Sequence, residues 1–246
     1  MSKLVGIVAP SNRPGSGAQL RELLPTEIAL AQRNLTITYG TAVELEAAVA
    51  AYEEAIADLV EHGADIVHPA GAPPLLLGCE GETQLVRRWE DRYGVPIFTN
   101  GMSQVNALRA LGVKRIAGAT YFRGAVNARF ASYYEQAGFE VLEMRGLDVD
   151  FQAVPSLDES DLRGFFADVV ACNPGAAALL LIGPAWRRSL GIVSALEAAF
   201  GIPIVHHVAA QSWEIQNRCG IRRPRGGYGR LLATFPAPTT EAPASR

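Results

Sequence analysis

Gly94-Val-Pro-Ile-Phe-Thr-Asn-Gly-Met-Ser-Gln-Val-Asn-Ala-Leu-Arg-Ala-Leu-Gly112 decides how this chain folds, because a second stretch resembles it. That stretch is Gly201-Ile-Pro-Ile-Val-His-His-Val-Ala-Ala-Gln-Ser-Trp-Glu-Ile-Gln-Asn-Arg-Cys-Gly220. Each copy opens with Gly-x-Pro-Ile, a turn feeding a short strand, and continues as a helix that stops at glycine. Each is preceded by a strand running into a loop of small residues: Ile66-Val-His-Pro-Ala-Gly-Ala-Pro-Pro74 and Leu181-Ile-Gly-Pro-Ala185. The repeat predicts two similar α/β lobes related by a pseudo-twofold axis. In open parallel sheets ligands sit at the carboxyl ends of the strands, so two facing lobes place one site in the cleft between them.

Outward from the repeat, short β-branched runs alternate with helical patterns. The predicted strands are Leu4–Val8, Leu35–Thr38, Asp65–Val67, Pro96–Phe98, Arg115–Gly118, Glu140–Leu142, Ala178–Ile182 and Pro203–Val205. Short continuous apolar runs bounded by Gly or Pro read as strands buried on both faces of a parallel sheet. Thr41 with Glu44 has capping-box spacing, and Leu45, Val49, Tyr52, Ile56 and Leu59 follow at helical intervals up to Gly63. Further helices are predicted over roughly 83–93, 105–111, 124–137, 159–172 and 190–200. The expected division is 1–98 plus about 206–235 for the first lobe and 99–205 for the second. A Pro/Ala/Thr-rich tail, 236–246, is expected to be disordered. The glycine-rich Gly226–Leu232 lacks the Gly-Lys-Ser/Thr of a phosphate loop and is expected to carry the chain back across the first lobe.

The composition sets bounds. The 246 residues are 49% hydrophobic and 19% charged with net charge -3, an ordinary globular balance with no electrostatic footprint for nucleic acid. No apolar run is long enough for a membrane span, and the N-terminus lacks the form of a signal peptide. Three scattered cysteines make neither a disulfide framework nor a zinc site, which fits a reducing, cytoplasmic setting.

The chemistry is expected in the loops at the strand ends. His68, His206 and His207 end predicted strands, and histidine can serve as a general base near neutral pH. Tyr121 could donate to a carboxylate. Ser11 and Asn12 follow the first strand, Gly71 and Ala72 the third, and Asn100 and Thr120 end two others. Gly183, Pro184 and Trp186 follow the Ala178–Ile182 strand. Small residues there let backbone N–H groups hold a carboxylate or oxyanion. His62 reads as a surface or cap residue, and Arg187 and Arg188 as solvated. Cys79, near a helix start, could have a depressed thiol pKa. Cys172 and Cys219 read as packing residues. A metal triad of the three strand-end histidines lacks supporting spacing, and nothing in the sequence requires a cofactor.

Taken together, residues 4 to 233 resemble the aspartate/glutamate racemase superfamily, in its arylmalonate decarboxylase and maleate cis-trans isomerase branch. The resemblance rests on Asn106–Ala117, Thr120 with Val126-Asn127, Gly201–Val205 with Trp213, and Pro224 with Gly227–Leu231. It implies a pseudo-symmetric two-lobed fold and a cofactor-independent site that binds small carboxylates. The superfamily moves protons with one or two cysteines in the loops that here read Ala70-Gly71-Ala72 and Gly183-Pro184-Ala185. Neither loop holds a cysteine. Decarboxylases of the branch have glycine at the first position, as Gly71 is here, but keep the second cysteine, which this chain lacks. The usual hydroxyl residues of the first loop are replaced by Ala72, Pro73 and Pro74.

The expectation is therefore a lyase or isomerase with enolate chemistry, in which histidine stands in for the thiol. A hydrolase or other lyase using His-activated water on a carboxylate or cyclic amide-like substrate is the alternative. A non-catalytic carboxylate-binding protein is another, and a homo-oligomer is left open.

Overall fold

A computed structural model describes residues 2–10, 17–37, 42–71, 73–150, 153–183 and 187–239. Strands β1 (Lys3–Ala9), β2 (Ile28–Asn34) and β3 (Ile66–Pro69) form a parallel three-stranded sheet in the order β2-β1-β3. Helices α1 (Ala18–Leu23) and α2 (Ala42–Glu61) lie between them, and α3 (Gly78–Tyr93) follows. Helix α4 (Asn100–Ala110) leads into the second sheet. That sheet has four parallel strands in the order β5-β4-β6-β7: β4 (Arg115–Thr120), β5 (Glu140–Gly146), β6 (Ala178–Leu181) and β7 (Ile204–His206). Its helices are α5 (Gly124–Gln136), α6 (Glu159–Cys172) and α7 (Val193–Phe200). Helix α8 (His207–Arg218) and the short α9 (Arg230–Thr234) complete the chain. The result is the expected α/β architecture with two parallel sheets flanked by helices.

The inner strands are mostly apolar and are buried beyond their first residues, Lys3 and Leu4 in β1 and Arg115 in β4, and β6 is buried along its whole length. Helix α2 turns Tyr52, Ile56 and Leu59 into the core with no exposure. Gly63 closes it at φ 85°. Thr41 lies outside the described residues.

Four expectations need correction. The second strand is Ile28–Asn34, not Leu35–Thr38. It is a sheet edge paired from Lys3↔Ile28 to Ala9↔Asn34, and an edge tolerates its polar Gln32, Arg33 and Asn34. Leu35 and Ile37 still donate to Ala9 and Pro10, extending the edge irregularly. Pro96–Phe98 forms only a bridge, Val67↔Ile97, because Pro96 has no N–H to donate. Helices α3 and α4 begin earlier than their apolar periodicity, at Gly78 and Asn100, so Asn100 stands in a helical turn and not in a loop. Conversely, the pattern over 190–200 splits into a 3₁₀ turn, Arg187–Ile192, and α7.

The C-terminal region also differs. Gly229 and Arg230 donate backbone N–H groups to Ser194 and Glu197 of α7, so the glycine-rich stretch docks on the second sheet's helix. Contact extends into the tail: Phe235 is buried, and Pro236 accepts the Trp213 indole N–H at 3.0 Å. Residues 240–246 lie outside the described residues.

Candidate functional site

The two copies of the repeat place α4 and α8 against each other, and their first turns bring the candidate site residues together. Thr99 caps α4 by accepting the Met102 N–H at 3.1 Å. At the corresponding position of the second copy, His206 caps α8: its Nδ1 accepts the Val208 N–H at 3.1 Å. The next residues also correspond, Asn100 and His207. Each helix then sends a glutamine across the molecule. Gln104 donates to the Leu181 carbonyl at the end of β6 at 2.9 Å. Gln211 reaches His68 at the end of β3 at 2.6 Å, and Asn100 at 3.4 Å. The strand-end groups of both sheets are thereby locked to one helix pair.

The loop glycines correspond as well. Gly71 and Gly183 have φ 105° and 113°, a region that disfavours side chains. A Cβ on Gly71 would press on Pro10 at 2.9 Å. A Cβ on Gly183 would clash with the Tyr121 ring and hydroxyl. Tyr121 is buried, beside Phe122 at 4.8 Å.

The histidines differ once their partners are named. His68 is fully buried, and its Nδ1 lies 2.8 Å from the Phe98 carbonyl, which can only accept. Nδ1 therefore carries the proton, and Nε2 accepts from Gln211. Burial lowers its pKa to about 4, so the ring is neutral. His206 is also fully buried. Because its Nδ1 accepts from Val208, the neutral ring carries its proton on Nε2, 3.1 Å from the Ser189 hydroxyl. That tautomer donates to Ser189 and cannot draw a proton from it, so the pair is not an activated nucleophile.

His207 stacks on His206 at 4.5 Å and is buried too. Its Nδ1 alone, among the described residues, is a buried side-chain polar atom with no hydrogen-bond partner. Burial, with His206 and His68 close by, holds its pKa well below the ordinary histidine range. His62 is exposed in the turn after α2 and bonds to Asp58.

The other expected site residues divide. The Asn100 Oδ1 accepts the Gly71 N–H at 2.6 Å, joining the first loop to α4. The Thr120 hydroxyl is engaged inside its own turn: it bonds to Asn127 at 2.7 Å and accepts the Phe122 N–H at 3.1 Å. Ser11, Asn12, Ala72, Pro184 and Trp186 lie outside the described residues. Cys79 is half-buried in the first turn of α3, where burial and Glu82 push its thiol pKa up, not down. Cys172 is exposed and does not pack as expected.

Sequence reasoning passed over Gln104, Gln211, Ser189 and Glu82. The two glutamines were detectable, since they occupy the same offset in the two copies of the repeat. Nothing in the sequence marks Ser189 or Glu82.

No group of three His, Cys, Asp or Glu side chains among the described residues is arranged to hold a metal ion. No helix there is long and apolar enough to cross a membrane. The candidate site thus consists of two helix N-termini, two left-handed glycine loops and three buried imidazoles. Helix N-termini favour anions, and the buried imidazoles add no competing negative charge.

The comparisons with known proteins agree with this fold. Arylmalonate decarboxylase from Bordetella bronchiseptica is 26% identical over 191 residues, covering 74% of this chain and 79% of that protein. The crystal structure of the maleate isomerase Iso from Pseudomonas putida S16 superposes with a TM-score of 0.86 at 20% identity, covering 96% of this chain and 100% of that one. The Nocardia farcinica maleate cis-trans isomerase C194S mutant, which holds a covalently bound succinylcysteine intermediate, also gives 0.86, at 19% identity over 95% of this chain and 99% of its own. The model of the family described as arylmalonate decarboxylase matches residues 5–232, and the chain belongs to that family.

Proposed function

We propose that this protein is a cofactor-independent lyase or isomerase that acts on a small carboxylate through an enolate-like intermediate, with His207 moving the proton. The observation that carries this reading is the unpartnered Nδ1 of His207. Leaving a buried polar atom unpaired costs about 1–3 kcal/mol, and such atoms in native proteins call for a reason. Here the atom belongs to the first residue of α8, where the helix N-terminus favours an anion.

The low basicity of His207 suits the task when the site is empty and changes when it is filled. A carboxylate beside the ring stabilises the imidazolium and raises its pKa. Substrate binding and protonation are then coupled, and the acid is formed where it is used. In a decarboxylation, the bond from carbon to the departing carboxylate breaks and carbon dioxide leaves. The bond electrons pass into the remaining carboxyl as an enolate, held at the helix N-termini. The His207 proton then adds to carbon, and the ring is reprotonated from solvent. Tyr121, against Gly183, closes the second side of the site and brings a hydroxyl to the same loop.

The relatives named for arylmalonate decarboxylation and maleate isomerisation indicate the compounds to try: arylmalonates and maleate. Turnover in D2O, read by NMR, should place one deuterium on the product carbon, and His207→Ala should abolish it while substrate still binds. Turnover without deuterium at carbon would support hydrolysis instead. Undiminished turnover in His207→Ala would remove His207 from the reaction.

A further inference from the structure

Glu82 of α3 is a buried carboxyl that the proposed chemistry does not use. It sits where three helices meet. One oxygen accepts the Thr99 hydroxyl at 2.6 Å, and the other accepts the Tyr133 hydroxyl of α5. No salt bridge to it occurs among the described residues. The titratable groups facing it are Tyr133 and Tyr134 of α5 and Cys79 of its own helix. The guanidinium groups of Arg109 on α4 and Arg129 on α5 are bonded to the carbonyls of Ala137 and Leu76. The 3₁₀ turn Pro73–Leu77, which packs against α3 and α5, carries no charge. An isolated carboxylate in apolar surroundings is costly, and two hydroxyl donors offset that only in part.

The contacts of Glu82 lead to the site in three steps. Glu82 holds Thr99, Thr99 caps α4, and Asn100, the first residue of α4, holds the Gly71 N–H. A Cβ on Gly101 would meet the Tyr133 hydroxyl, so glycine there is what lets Tyr133 reach Glu82.

We infer that Glu82 is a positioning residue whose protonation state sets the α4 N-terminus and, through Thr99 and Asn100, the Gly71 loop. Ionising the carboxyl places a charge among α3, α4 and α5, and the helix start responds. Burial pushes the Glu82 pKa up to about 7, so the change falls near neutrality. The consequence for catalysis rests on the proposed function above, but the positioning does not.

The experiment therefore reads the loop directly, on the whole protein without substrate. Amide hydrogen exchange at Gly71 and Met102 is followed across neutral pH and corrected for intrinsic rates. The wild-type protein should lose about tenfold in protection on passing from acid to alkaline pH, and Glu82→Gln should show no such step. If Glu82→Gln does not fold, Tyr133→Phe serves in its place. It removes one donor to the carboxylate and should move the step to higher pH. An infrared band of a protonated carboxyl, lost in the alkaline range, should accompany the step. A step that persists unchanged in Glu82→Gln, or protection at Gly71 that is flat with pH in the wild type, overturns the inference. A step at Gly71 in a protein that turns over no carboxylate would leave this inference standing and defeat the proposed function alone.

Discussion

The starts of α4 and α8 are built alike and finished differently. Each has a left-handed glycine in a loop opposite, a polar cap on the preceding residue and a buried polar side chain at its first position. At α4 that side chain is Asn100, and its acceptor is filled by Gly71. At α8 it is His207, and its Nδ1 is empty. An amide can hold a loop but cannot exchange a proton near neutral pH, whereas an imidazole can. Under the proposed function, Asn100 shapes the first half and His207 transfers the proton in the second.

The strongest way to break this contrast is to make the halves equal. His207→Asn puts at α8 the side chain that α4 already has, with an acceptor retained and the titratable ring removed. The variant should fold and bind a carboxylate yet lose about 10²–10⁴-fold in turnover, the usual worth of a general acid or base. Steady-state kinetics on any identified substrate would decide it. A change in KM alone would mean that His207 binds and does not transfer protons.

The glycines offer the next largest effect. Both have positive φ, but a Cβ at Gly71 meets the edge of Pro10, while at Gly183 it would overlap the Tyr121 ring. Gly183→Ala should therefore destabilise more than Gly71→Ala, with the backbone conformation alone costing about 1–3 kcal/mol in each. Urea unfolding of the two variants measures the difference. Equal losses would show that Tyr121 yields easily and does not shape the second loop.

The repeat made the overall architecture readable because its Gly-x-Pro-Ile turns and glycine stops are local signals. The edge strand β2 escaped because its polar residues carry none of the apolar pattern that marks inner strands. The site was readable as a set of strand-end residues but not as a set of roles. His68, His206 and His207 look equivalent in sequence. What separates them is which nitrogen meets Phe98, Val208 or nothing. Those contacts cross between elements distant in the chain, as does the Glu82 contact with Tyr133, and no spacing rule encodes them.

A subtler effect of the same asymmetry lies in the pH dependence of stability. His68, lowered from 6.5 to about 4, excludes a proton that the unfolded chain binds between those values. Its contribution is complete above pH 6.5 and is lost as pH falls through about 4. His207, also lowered, acts with the same sign. Glu82, raised from 4.5 to about 7, acts oppositely: its contribution is complete below 4.5 and lost as pH rises through about 7. Each proton is worth about 1.4 kcal/mol per pH unit within its window. From pH 4.5 to 6.5 the two imidazoles outweigh the one carboxyl, so stability should rise. Just above 6.5 the imidazoles no longer contribute while Glu82 still does, and stability should fall slightly, giving a maximum near pH 6.5. Chemical unfolding at a series of pH values tests this. Glu82→Gln should steepen the rise and remove the fall, and a wild-type profile that falls from 4.5 to 6.5 would show that the imidazoles are not held neutral.

The smallest expected effect sharpens the comparison with the thiol-using relative. The cis-trans isomerase from Nocardia farcinica is seen as a succinylcysteine adduct, whereas neither Gly71 nor Gly183 has a cysteine beside it in sequence. The three thiols present are Cys172, exposed, and Cys79 and Cys219, half-buried with pKa values pushed up by burial. A raised pKa leaves less thiolate, the form that attacks carbon or alkylating agents. Iodoacetamide should thus modify Cys172 first, and the protein should keep its turnover within about twofold, since a thiol outside the site contributes nothing to the barrier. Mass spectrometry would locate the label, and a rate assay on the same sample would give the consequence. Loss of turnover in step with alkylation of Cys79 would move the proton transfer away from α8 to the start of α3, and the contrast between Asn100 and His207 would no longer explain the chemistry.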